Sequence, residues 1–130
     1  DREIQALVSI GEGAAGRALS FAGLDIAGLD AAIDRLVTQG DPANAERSAL
    51  ARSLGVKAAQ PRYEAFLERA PARMAAEAKQ REGRALEQAL LLWERARDLA
   101  ASAVPLSLDA QSTAFTLAGM LADMAPVNGR

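Results

Sequence analysis

Carboxylates one helical turn apart are the residues of this chain whose types and spacing come nearest to chemistry. Asp30 and Asp34, Glu64 and Glu68, and Glu94 and Asp98 each lie four residues apart. On helices, each pair would share a face. Asp30 and Asp34 could hold a cation through oxygen ligands, but no third ligand stands near them in sequence, and a solvated face is the favoured reading. A retaining glycosidase needs two carboxylates across a cleft, one of them with its pKa raised by burial. Pairs on one helix among arginines do not supply that. The chain has no histidine and no cysteine. Disulfides, thiol nucleophiles, zinc sites of the usual ligand types and Ser-His or Cys-His relays are thereby excluded. The serines, among them Ser9, Ser48 and Ser112, have nothing to activate them. The glycines of Gly11–Gly16 (GEGAAG) are not followed by the lysine of a phosphate loop, and no strand pattern precedes them. No catalytic residue, metal site, cofactor or small-molecule substrate is expected.

The elements that carry these residues all read as helices. At 130 residues, half of them apolar, the chain can bury a core of its own. Gly11–Gly23 holds four of the ten glycines and reads as a joint between helices. Before it, Asp1–Ile10 reads as a short helix with Ile4, Leu7, Val8 and Ile10 on its apolar side, the tail of a preceding domain. Ala14–Phe21 reads as a second short helix. Asp25 can cap a third, with Ile26, Leu29, Ile33 and Leu36 on one face and Gly40 as its stop. Asp41-Pro42 signals the next start, a capping carboxylate followed by proline at the first helical position, and Gly55 ends that helix after Leu54. Pro61 opens a helix that buries Tyr63, Phe66, Leu67, Ala70 and Met74. Pro71 inside it is expected to kink or split it. Glu77 and Arg81 are spaced for an i,i+4 ion pair.

Arg84–Val104 is the longest clean helical pattern. Leu86, Leu90 and Trp93 form a stripe that Ala96, Ala100 and Ala103 continue, while Leu91, Leu92 and Leu99 fall outside it. One neighbouring helix cannot cover so wide an apolar arc. The helix is therefore central, or part of it meets another chain, with Trp93 either in the core or an interface anchor. Pro105 is expected to end it, and Leu106–Leu108 to link to a last helix capped by Asp109 or Ser107. That helix runs to Met124, with Ala110, Ala114, Leu117, Leu121 and Met124 inward and Phe115, Ala118 and Ala122 beside them. So short a link implies an antiparallel hairpin. Pro126–Arg130 reads as a frayed end. The fold expected is an all-α bundle of about six or seven helices, with a joint near Gly11–Gly23. The net charge of −2 gives no general pull toward nucleic acid or anionic membrane. No apolar run approaches the ~20 residues of a membrane span, so a cytoplasmic setting is expected.

Ser48–Phe66 offers an alternative. It resembles a helix-turn-helix, with Gly55-Val56 at the turn and the second helix reading DNA. Pro61 stands where that motif packs Val or Ile, and Glu64 and Glu68 would face phosphate.

The order of the segments is more specific than any one of them. Glu12–Ser20 (EGAAGRALS), followed by the long helix with Trp93, the turn Ser107-Leu108-Asp109 and a final helix, resembles the C-terminal part of the delta-prime subunits of bacterial DNA polymerase III clamp loaders, in the AAA+ family. In that family the first piece, of the form Gly-Ser-Pro-Gly-Arg-Ala-Leu, ends the AAA+ lid, and the last helices form the collar, joined at an Asn-Leu-Asp turn. Here Ala15 replaces the usual proline, and Val104-Pro105 replaces a continuing helix. Aligning on Ala18-Leu19-Ser20 puts Gly16 at the position of the sensor arginine, which fits the subunit that does not hydrolyse ATP. The resemblance implies that 1–23 is the end of a lid and 24–130 a collar domain. It implies packing with gamma/tau and delta subunits in a heteropentamer, contact with DNA only indirectly, and a role in loading the sliding clamp during replication. The parent would be part of DNA polymerase III holoenzyme, with no enzymatic activity in this segment. The expected subunit interface is Leu86, Leu91, Leu92, Trp93, Leu99, Phe115, Ala118 and Ala122.

Overall fold

The computed structural model describes residues 25–126. The expected helices Asp1–Ile10 and Ala14–Phe21, the Gly11–Gly23 joint, the sensor position Gly16 and most of the frayed end lie outside the described residues. The rest is all-helical: α1 (Ile26–Gln39), α2 (Ala45–Leu54), a 3-10 turn (Lys57–Ala59), α3 (Gln60–Ala78), α4 (Gly83–Ala103) and α5 (Ala110–Asp123). No strand occurs among the described residues.

Asp25 caps α1, its carboxylate accepting from the Gly28 N–H at 3.1 Å. A Cβ on Gly28 would collide with that carboxylate, so the glycine makes room for the cap. Gly40, at φ 74°, ends the helix. The start of α2 falls three residues later than the proline signal implies. Asp41–Asn44 form a turn closed by Asn44 N–H on the Asp41 carbonyl, Asn44 sits at φ 60°, and Pro42 precedes the helix. Asp41 caps across this turn, accepting from the N–H groups of Glu46 (3.2 Å) and Arg47 (2.8 Å). In α3, Pro61 occupies the first turn as expected, and Pro71 does not split the helix. Proline inside a helix costs ~3 kcal/mol or more. Burial of Phe66, Leu67 and Ala70 before it and Met74 and Ala78 after it opposes that cost and keeps one helix on one core face.

The last helix is the centre. α5 packs against each of α1, α2, α3 and α4. It buries Thr113, Ala114, Leu117, Ala118, Gly119 and Leu121, with Met124 buried just beyond its end. Small residues let four neighbours approach one helix. At Gly119 the approaching group is the Arg47 guanidinium, whose Nη2 would lie 2.1 Å from a Cβ. Arg47 donates from Nε and Nη2 to the Phe115 carbonyl (3.2 and 3.0 Å) and stacks 3.9 Å from the Phe115 ring centroid. At the other end of α2, a Cβ on Gly55 would lie 2.8 Å from Gln111 Cβ. The two contacts together make α2 antiparallel to α5.

α4 corrects the expected stripe. Its buried line is Ala89, Ala96 and Ala103, a strict seven-residue repeat, with Leu86, Trp93 and Ala100 on one flank and Leu92 and Leu99 on the other. Leu90, expected inward, is 41% exposed. Hydrophobicity placed the centre on the large residues, whereas close packing against α3 and α5 favours the alanines.

Gly55→Ala should lower stability by ~1–3 kcal/mol, because neither the Ala51 carbonyl at 3.0 Å nor Gln111 can yield cheaply. Leu117→Ala, at the centre of α5 and fully buried, should cost ~2–5 kcal/mol. Denaturant unfolding with an unchanged m-value checks both.

Candidate interaction surface

The acidic pairs one turn apart have structural partners or lie in the open. Asp30 is held bidentately by Arg69 (Nε and Nη2, both 2.6 Å), and Asp34 by Arg73. Both pairs span 39 residues, so α1 and α3 run side by side in the same direction. The ladder continues through Glu77, which accepts from Arg73 (3.0 Å) and from Arg81 (3.2 Å), and Arg81 also donates to the Met124 carbonyl. The i,i+4 pair of Glu77 and Arg81 is thus one rung of a network tying α1 to α3 and α3 to the end of α5. The Asp30 hydrogen bond raises the Arg69 pKa. Partial burial opposes the rise at Arg73, and the bonds to Asp34 and Glu77 outweigh it. Glu64 and Glu68 are exposed, with Glu64 accepting from Gln60, and Glu94 and Asp98 are exposed on α4. Among the described residues, no three His, Cys, Asp or Glu side chains gather as a metal site.

The helix-turn-helix segment maps onto α2, the 3-10 turn and α3. α2 lies chiefly on α5, and α3 is packed by α1, α4 and α5. The outer line of α3 is Pro61, Glu64, Glu68, Ala72 and Ala76. A helix that gives most of its circumference to the core and shows two carboxylates has little to offer a phosphate-lined groove.

Apolar surface is what remains. Of the expected interface residues, Leu91 is 56% exposed. Leu86, Leu92, Trp93, Leu99, Phe115 and Ala122 are half-buried against the core margin. Ala118, expected in the interface, is instead fully buried in the chain's own core; it serves the approach of neighbours to α5. Leu86, Leu90 and Trp93, spaced i, i+4 and i+7, line one edge of α4, with the Arg97 guanidinium 4.6 Å over the Trp93 ring. Beyond the end of the helix, Val104, Leu106 and Leu108 are exposed, Leu106 by 67%. Reading Leu106–Leu108 as a simple link missed them.

The backbone explains that tip. Helical bonding passes Pro105, since Leu106 N–H reaches the Ser102 carbonyl (3.0 Å). Ser107 then turns to φ 52°, its N–H on the Val104 carbonyl and the Leu108 N–H on the Ala103 carbonyl (3.0 and 2.9 Å). This is a Schellman closure with serine where glycine is usual. Asp109, not Ser107, caps α5, accepting from Ser112 N–H at 2.8 Å, and these Ser112 hydrogen bonds lower the Asp109 pKa. The left-handed residue throws Leu106 and Leu108 outward at the top of the α4–α5 hairpin.

Ser107→Gly should stabilise the domain by up to ~1 kcal/mol, because glycine takes positive φ without the Cβ penalty; thermal unfolding checks it. Among the described residues, the buried Tyr63 hydroxyl has no hydrogen-bond partner of good geometry, although the Thr113 side chain lies beside it. Burial raises the Tyr63 pKa above its ordinary value of 10.0. The neutral phenol therefore contributes stability in full below pH 10.0, and that contribution is lost as pH rises through the folded-state pKa. Tyr63→Phe should be nearly neutral at pH 7, within ~1 kcal/mol, and should flatten the alkaline fall of stability. Unfolding curves from neutral to alkaline pH check the sign.

Comparison with family models, with curated proteins and with solved structures finds no match to this chain.

Proposed function

We propose that this helical domain is an assembly module. It packs against sibling subunits through the Leu86–Leu90–Trp93 edge of α4 and the Val104–Leu108 tip, and makes or breaks no bonds itself. The observation that carries the reading is the apolar tip, where three large side chains stand in solvent on a backbone closed by its own hydrogen bonds. Tryptophan at the margin of such a surface is the residue type most often found as an energetic anchor.

The partners come from the sequence resemblance to clamp-loader delta-prime subunits. On that reading 24–130 is a collar domain, and gamma/tau and delta are its neighbours in the pentamer that loads the sliding clamp. The conformation of the turn supports this register. The clamp-loader family places asparagine where Ser107 stands, and Ser107 is left-handed here. After glycine, asparagine is the residue that accepts this conformation best.

Mixed with the collar domains of gamma/tau and delta at micromolar concentration, the chain should co-elute with them in size-exclusion chromatography. Leu106→Asp should weaken that association at least about tenfold without changing the melting temperature, since Leu106 is a central apolar contact of the proposed interface and touches little of the core. Folded partners that elute separately from the wild-type chain would overturn the proposal.

A further inference from the structure

The outer face of α4, opposite its alanine line, is not accounted for by the edge and tip described above. Leu91 stands at its middle, 56% exposed, on a charged surface. Counted from Leu91, the face reads Arg84 at −7, Glu87 at −4, Arg95 at +4 and Asp98 at +7. All are exposed. Among the described residues, Arg84, Glu87 and Arg95 make no ion pair, and Asp98 has only a long contact with its neighbour Arg97 (3.7 Å).

Reversing the direction of the helix about Leu91 exchanges −7 with +7 and −4 with +4. Each exchange brings opposite charges together: Arg84 with Asp98, and Glu87 with Arg95. We propose that this face is self-complementary, and that a second copy of the chain docks on it antiparallel, with a two-fold axis at Leu91. An isologous contact needs such a pattern, one surface that satisfies itself when turned over. Arg84 to Asp98 spans about 21 Å of helix, four turns, and two helices ~8–10 Å apart bring facing side chains at each level within ion-pair reach. One leucine pair and four exposed ion pairs make a weak dimer, because exposed pairs contribute little each. Glu94 is the dissenting residue: at +3 it falls beside the partner's Glu87. The contact is separate from the heteromeric reading, which uses another part of α4 and the hairpin tip.

The absence of cysteine allows a direct test on the 130-residue chain. In Leu91→Cys the only thiols of the two copies meet at the axis, and mild oxidation should give a covalent dimer at least about tenfold faster than Leu106→Cys, a comparably exposed control. Sedimentation up to about 1 mM should show a reversible dimer of the unmodified chain. Arg84→Asp should weaken it about tenfold, Arg84→Asp with Asp98→Arg should restore it, and Glu94→Gln should strengthen it. Equal oxidation rates at Leu91→Cys and Leu106→Cys, or a strict monomer throughout that range, would overturn the proposal. Neither result would bear on co-elution with sibling subunits.

Discussion

Everything in this domain is arranged around a helix that must be thin. α5 touches the four other described helices, and it can do so because Ala114, Ala118 and Gly119 keep its flanks low while Leu117, Leu121 and Met124 fill the spaces between neighbours. The same economy recurs where α4 comes in on Ala89, Ala96 and Ala103. Close-packed helices with few aromatic side chains gain from dense contact and not from bulk. Polar links then fix the register. Arg47 pins α2 to α5 through the Phe115 carbonyl, and the Asp30–Arg69 and Asp34–Arg73 pairs set α1 parallel to α3.

Most of this fold is legible in the residues. The α1 face, the Asp25 and Asp109 caps, the Gly40 stop and the Pro61 start all sit where local chemistry puts them. These signals act within one turn and do not depend on the rest of the chain. The misreadings share a cause. At α2, the Asp41 cap was found but not the turn of Asp41–Asn44 that delays the helix, because a cap can reach across a turn. In α3, of the kink or split expected at Pro71 the split does not occur; the burial that keeps the helix continuous was not legible, since it depends on three other helices. In α4, large apolar residues drew the stripe away from its true centre on alanine.

The surface was harder to read than the core. Leu91 was expected in a subunit interface because it falls outside the apolar stripe, and it is exposed. Ala118 was misplaced because a small residue beside an apolar stripe suits a subunit interface and a crowded core equally well. The tip was missed because 106–108 reads as a plain link; α4 does end before Pro105, but a hydrogen-bonded turn follows and closes at a left-handed serine. Whether apolar side chains point inward or outward at such a corner depends on one backbone dihedral angle, which composition does not reveal.

That the central helix follows the four it packs against also has a bearing on how the domain is made. During synthesis α1 to α4 emerge first, with their apolar faces turned toward a space that nothing yet fills. Only when Ala110–Met124 has left the ribosome can those faces close on a common partner. Until then α1, α3 and α4 can meet one another but leave the face that α5 covers open, a state that a holdase chaperone recognises. A message cut short ahead of Ala110 would yield a product for proteolysis and not a smaller version of the domain.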